Sequence, residues 1–115
     1  SRPIYEQVAM DLLKDILNGK LLHGEKLPSG RELALRYEIN PNTAARVYQE
    51  MERRELCFTK RGMGTYVTEE EEKIRKEKRQ LAKSYTKDYL KRMEELAIPF
   101  QELTKYLQEE NHDSM

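Results

Sequence analysis

Cysteine is nearly absent from this 115-residue chain, and Cys57 alone can form neither an intramolecular disulfide nor a multi-cysteine zinc site. Histidine is nearly as scarce. His23 and His112 lie far apart in sequence with no ligand cluster beside either, so no metal is expected. Long uncharged runs are missing too: the longest, Ile39 to Ala45 and Gly62 to Thr68, have seven residues. That excludes a transmembrane helix or a secretory signal within these residues, and points to a soluble, cytoplasmic protein with no membrane partner. There is no Gly-rich phosphate loop, no nucleophile elbow and no Ser/His/Asp or Cys/His set with supporting context. No enzyme activity and no cofactor are therefore expected. An excess of one charge is lacking as well, since 21 Lys+Arg balance 21 Asp+Glu. Nucleic-acid-binding domains are often basic, so this neutrality stands as an objection to nucleic acid as a partner.

What is present is charge, at 37% of residues, equal to the hydrophobic share. Such a chain has little core per residue, much solvated helix surface, or a core shared with a partner. Its character changes near Thr68. Residues 1–68 hold all five glycines, with 11 Lys+Arg against 9 Asp+Glu. Residues 69–115 have no glycine, only Pro99 as a helix breaker, and 10 Lys+Arg against 12 Asp+Glu. That is the composition of long charged helix, so the chain divides into a mixed domain over 1–68 and a helical tail over 69–115.

Tyr5, Val8, Ala9, Leu12, Leu13 and Ile16 recur at helical spacing and predict a first helix from Ile4 to Asn18, closed by Gly19. Lys20 to Pro28 reads as a loop with a short strand near Lys26-Leu27. Ser29-Gly30-Arg31-Glu32 is Ser-x-x-Glu, the capping box that starts a helix. Glu38-Ile39-Asn40 interrupts that helix. Asn40-Pro41 opens a third, with Asn as cap and Pro where its missing donor costs nothing. Ala44, Val47, Tyr48 and Met51 form its inner stripe. Leu56 to Lys60 and Thr65 to Val67 predict two strands around Arg61-Gly62-Met63-Gly64. A long helix follows over Glu70 to Leu96, and a last one over Pro99 to Glu109.

Three helices and a hairpin, with a tight turn between the second and third, are the layout of a winged helix-turn-helix. A recognition helix needs one apolar face for its own domain and a first turn of short polar side chains for base edges. Asn42 and Thr43 occupy that turn, and Arg46 lies one turn on from Asn42. Asn can pair with adenine, Thr can meet a thymine methyl, and Arg can fork onto guanine. Arg31 stands in the first turn of the preceding helix, where free backbone donors suit a phosphate. Lys60 and Arg61 give the hairpin a basic tip.

Several segments together carry a family resemblance: Pro3-Ile4-Tyr5-Glu6-Gln7-Val8, Gly24 to Ala34, Ile39 to Arg46, and Lys60 to Val67. In that order and spacing the chain resembles the DNA-binding domain of GntR-family bacterial transcription regulators. Its short tail is similar to that of the YtrA-like subfamily, a helix pair used for dimerisation. The resemblance implies DNA contact by Arg31, by the turn Asn40 to Thr43 and by Gly62. Two positions depart from the family pattern. Ala45 stands where many members have Arg, with Arg46 next to it. Glu55 stands where the family usually has Gly, so a slightly altered turn is expected.

The expected fold is therefore mainly α with a small β-hairpin: a winged helix-turn-helix followed by a two-helix dimerisation segment. The expected function is a homodimeric regulator, a repressor, that binds double-stranded DNA at an inverted repeat. The DNA-binding set is Ser29, Arg31, Asn40, Pro41, Asn42, Thr43, Arg46, Lys60, Arg61 and Gly62. The dimerisation set is Leu81, Tyr85, Tyr89, Met93, Leu96, Phe100, Leu103 and Leu107. The competing reading is a winged-helix protein-interaction module without DNA activity, towards which Ala45 points weakly. No residue pattern identifies a small-molecule effector.

Overall fold

Two helix starts are written in the sequence as side-chain caps, at Ser29 and Asn40. In the computed structural model, which describes residues 2–113, the Ser29 hydroxyl accepts from the Glu32 amide at 3.1 Å and Glu32 Oε1 accepts from the Ser29 amide at 3.2 Å. This reciprocal cap opens helix α2, Gly30–Tyr37, behind helix α1, Ile4–Leu17. Helix α3, Pro41–Arg53, begins where Asn40 Oδ1 accepts from the Asn42 amide at 2.7 Å. Strands β1, Cys57–Lys60, and β2, Gly64–Val67, form an antiparallel hairpin with Cys57 opposite Val67 and Lys60 opposite Gly64. Helices α4, Glu71–Glu95, and α5, Phe100–Asp113, complete the described chain. This is the helical fold with one small hairpin that the residue pattern implies; α5 continues past the expected end at Glu109.

Helix ends show a device that the sequence conceals. Glu38, Glu55 and Ala97 have φ of +53°, +62° and +58°, the left-handed region that favours glycine. Each is followed by an apolar residue whose amide reaches back to the last turn. Ile39 bonds to the Ala34 carbonyl, Leu56 to Met51 and Ile98 to Met93, all at 3.0 Å. These bonds satisfy carbonyls that a helix end leaves open, and the apolar residue folds back inward. Leu56 is completely buried. The turn at Glu55 is thus a regular left-handed helix end, made with a glutamate.

The first core lies among α1, α2, α3 and the hairpin. Val8, Ala9, Leu12 and Ile16 of α1 meet Leu33 and Ala34 of α2 and Ala44, Val47 and Met51 of α3. Every one sits on the helical spacing of its own helix, which is why each helix buries one stripe and leaves the rest to water. Leu33 is fully buried, so Leu33→Ala would leave a cavity that costs about 2–5 kcal/mol.

The chain separates into two compact units, residues 1–78 and 79–115, with the division inside α4. It falls later than the composition shift at Thr68 because the first turns of α4 join the first unit. Ile74 packs on its core, Lys73 Nζ lies 3.2 Å from Glu55 Oε1, and Arg54 Nη1 lies 2.6 Å from Glu77 Oε1. No described helix is long and apolar enough to cross a membrane.

Candidate nucleic-acid interface

The segment Lys26–Pro28 fastens the parts of the site together. Lys26 bridges to Tyr66 of β2, and the Leu27 amide donates to the Thr65 carbonyl at 2.8 Å. Two flanking bonds, Gly24 amide to Val67 carbonyl at 3.0 Å and Val67 amide to Glu25 carbonyl at 2.8 Å, extend this edge. Leu27 is buried in the core. The Pro28 carbonyl then accepts from the Tyr48 hydroxyl of α3 at 2.5 Å. The next residue is Ser29, the cap of α2. Wing, α3 and the start of α2 are therefore tied through three consecutive residues.

Arg31 stands exposed in the first turn of α2, beside the Ser29 cap. The Ser29 amide, with its hydroxyl, holds the Glu32 carboxyl below its ordinary range, so Glu32 stays ionised and capped. At the start of α3, Asn40, Pro41 and Asn42 are exposed and Thr43 is half-buried. Asn40 uses Oδ1 for its cap, while the Asn42 side chain makes no hydrogen bond among the described residues. Arg46 is exposed, and its guanidinium carbon lies 4.1 Å from the centre of the Tyr5 ring.

The wing turn holds Lys60, Arg61 and Gly62, all exposed. Gly62 has φ +77° and open space around its missing Cβ. Gly64 is more constrained: at φ +116° a Cβ there would stand 2.9 Å from Lys26 Cε. On the same face, Phe58 and Tyr66 stack across the strands with ring centres 5.9 Å apart. The Lys60 ammonium lies 5.0 Å from the Tyr66 ring centre and 5.7 Å from that of Phe58. Sequence reasoning placed Tyr5 in an apolar stripe and Phe58 and Tyr66 in strands. It missed that all three rings sit against cations of the candidate site.

Near the C-terminal end of α3, Arg53 is bridged to Glu50, and Arg54 to Glu77 at 2.6 Å. Arg31, Arg46, Lys60 and Arg61 have no carboxylate partner among the described residues. No described carboxylate offsets these four, so the neutrality of the whole chain does not extend to them. Among the described residues no group of three or more His, Cys, Asp and Glu could hold a metal. Cys57 is buried, and burial pushes its thiol up to about 12, so it is unsuited to nucleophilic work at neutral pH.

The expected tail residues divide into three kinds. Tyr85, Leu96, Phe100 and Leu107 are exposed, Leu96 at 69% and Phe100 at 74%. Leu81, Tyr89 and Met93 are half-buried. Leu103 is only 6% exposed, covered by its own chain. Leu103 therefore packs its own fold, while the other four remain accessible to solvent.

Comparison with known proteins agrees with this geometry. The family described as bacterial regulatory proteins, gntR family, matches residues 4–67. The HTH-type transcriptional repressor YtrA of Bacillus subtilis is 46% identical over 69 residues, 60% of this chain and 53% of that protein. A solved GntR family transcriptional regulator from Listeria monocytogenes superposes with a TM-score of 0.90 at 35% identity, covering 95% of this chain and 96% of that one. The AraR DNA-binding domain, solved in complex with operator ORX1, matches with a TM-score of 0.57 at 26% identity, over 59% of this chain and 82% of that one. The capped helix pair, the glycine-turned wing and these likenesses together establish that the chain belongs to the GntR family of DNA-binding bacterial transcription regulators.

Proposed function

We propose that the chain is a homodimeric transcriptional repressor that reads an inverted-repeat operator in double-stranded DNA. In this reading α3 of each subunit enters a major groove, with Asn42, Thr43 and Arg46 towards base edges. Ser29, Asn40 and Pro41 bring the helix starts against the backbone, and Arg31 adds charge or reaches a base. Lys60, Arg61 and Gly62 bring the wing to the flanking groove. The observation that carries the reading is the group of four exposed cations without carboxylate partners, one at the start of α2, one in the second turn of α3 and two at the wing turn, on elements fastened through Lys26–Pro28.

The dimer is supported by the tail. Tyr85, Leu96, Phe100 and Leu107 are large apolar side chains more than half exposed. Exposed apolar surface of that kind marks an interface, and a two-fold pair of subunits calls for a two-fold operator. The name of the similar YtrA supports repression, and the operator-bound AraR domain supports operator DNA as the partner. A cytoplasmic location goes with that partner.

Light scattering on the full chain tests the assembly: the expected mass is that of two chains, and a chain truncated after Lys78 is expected to run as a monomer. A monomeric full chain, or a truncated chain that still dimerises, would overturn it. Selection of bound duplexes from a random pool tests the DNA reading, with an enriched inverted repeat expected.

A further inference from the structure

Two of the four proposed DNA-facing cations rest on aromatic rings. Arg46 lies 4.1 Å from the ring centre of Tyr5, a half-buried residue of α1 that packs on the core. Lys60 lies 5.0 Å from the ring centre of Tyr66 and 5.7 Å from that of Phe58. The wing rings are themselves fixed. They are directly paired across the strands, stacked at 23°, and the Tyr66 hydroxyl donates to the Met63 carbonyl at 3.3 Å across the turn.

A ring holds a cation differently from a carboxylate. A carboxylate neutralises the charge, as Glu50 does for Arg53 in the same helix. The face of a ring attracts the cation through its quadrupole and adds no opposing net charge. The guanidinium edge and the ammonium hydrogens not facing the ring remain open to an anion. A long basic side chain loses much rotamer freedom when it binds, and prior ordering removes part of that loss. The arrangement gives ordered cations that keep their full charge.

We infer that Tyr5, and the pair Phe58 and Tyr66, are positioning residues for DNA binding, ordering Arg46 and Lys60 in place for the operator. This rests on the DNA reading proposed above. It gives a role to three aromatic residues outside the proposed contact set. It also gives Arg46, the cation next to the departure at Ala45, a support on a different helix.

A double-mutant cycle tests the inference. The probe is the duplex recovered from the random pool, titrated against full-length Tyr5→Leu, Arg46→Ala and the double variant. Tyr5→Leu is expected to weaken binding about two- to fivefold. In the Arg46→Ala background the same change is expected to cost nothing further, and Tyr5→Phe, which keeps the ring, is expected to bind like the parent. A ring that merely packs would cost the same with or without Arg46, and that additive result would overturn the inference. So would an unchanged affinity in Tyr5→Leu. If Tyr5→Leu does not fold, Tyr66→Leu crossed with Lys60→Ala reads the same coupling at the wing. A parent chain that recovers no sequence from the pool overturns the DNA reading itself, whereas a binding parent with additive variants overturns only the role of the rings.

Discussion

The Tyr48 hydroxyl of α3 donates to the Pro28 carbonyl at 2.5 Å, one residue before the Ser29 cap of α2. This bond spans 20 residues of sequence and sets the start of α2 against the middle of α3. Burial raises the Tyr48 phenol well above its ordinary value, so it stays protonated and able to donate at any physiological pH. Tyr48→Phe would leave the carbonyl without this donor in a partly buried place. The expected loss is about 1 kcal/mol in chemical denaturation, with the denaturant slope unchanged. An unchanged midpoint would show that the bond adds nothing to the packing of the ring.

Glu55 and Ala97 occupy left-handed backbone that costs a side chain about 1 kcal/mol. Ala97→Gly is expected to raise stability by roughly that amount, less the entropy that glycine adds to the unfolded chain. Glu55→Gly also gives up the exposed ion pair with Lys73, which contributes little. Both variants are expected to melt slightly higher than the parent by circular dichroism. A lower melting temperature in both would mean that these turns are not strained.

Glu32 gives the fold an acid dependence. Its hydrogen bonds with Ser29 hold the carboxyl below 4.5 in the folded chain, so folding favours the ionised form. The resulting stability is present above the ordinary carboxylate range and lost as pH falls through the lowered value. Glu50, lowered by its hydrogen bonds from Arg53, acts in the same direction. Glu32→Gln keeps the cap geometry without a titrating proton. Its melting temperature is expected to fall less steeply with acid than that of the parent, and parallel curves would count against the role of Glu32.

Much of this was legible in the chain. Ser29-x-x-Glu32 and Asn40-Pro41 announced two helix starts, and Gly62 and Gly64 announced the wing turn, because caps and turns depend on neighbours in sequence. The left-handed ends at Glu38 and Ala97 were not legible, since neither carries the glycine that signals such a position; at Glu55 the family's usual Gly was the signal, and the expected altered turn is instead the same left-handed end. The apolar Ile39, Leu56 and Ile98 that follow them were the available signal. The seat of Arg46 on Tyr5 joins residues of α1 and α3, and only the fold brings them together. The covering of Leu103 by its own chain was hidden for the same reason, because helical spacing says which residues share a face and not what covers it.

Arg31 is exposed and makes no ion pair among the described residues, so its replacement leaves the fold intact. Arg31→Ala is expected to weaken operator binding by about 1–3 kcal/mol in a gel shift, with an unchanged melting temperature. Equal affinity for the operator would remove Arg31 from the contact set.

Binding selection from a random duplex pool at fixed salt, followed by sequencing, tests the central claim most directly. The expected result is one enriched inverted repeat whose half-sites lie about one helical turn, or a multiple of it, apart. Binding should also weaken steeply as salt rises, because the unpaired cations meet phosphates. A bound fraction with no enriched sequence would contradict the account and leave a winged-helix protein-interaction module in its place.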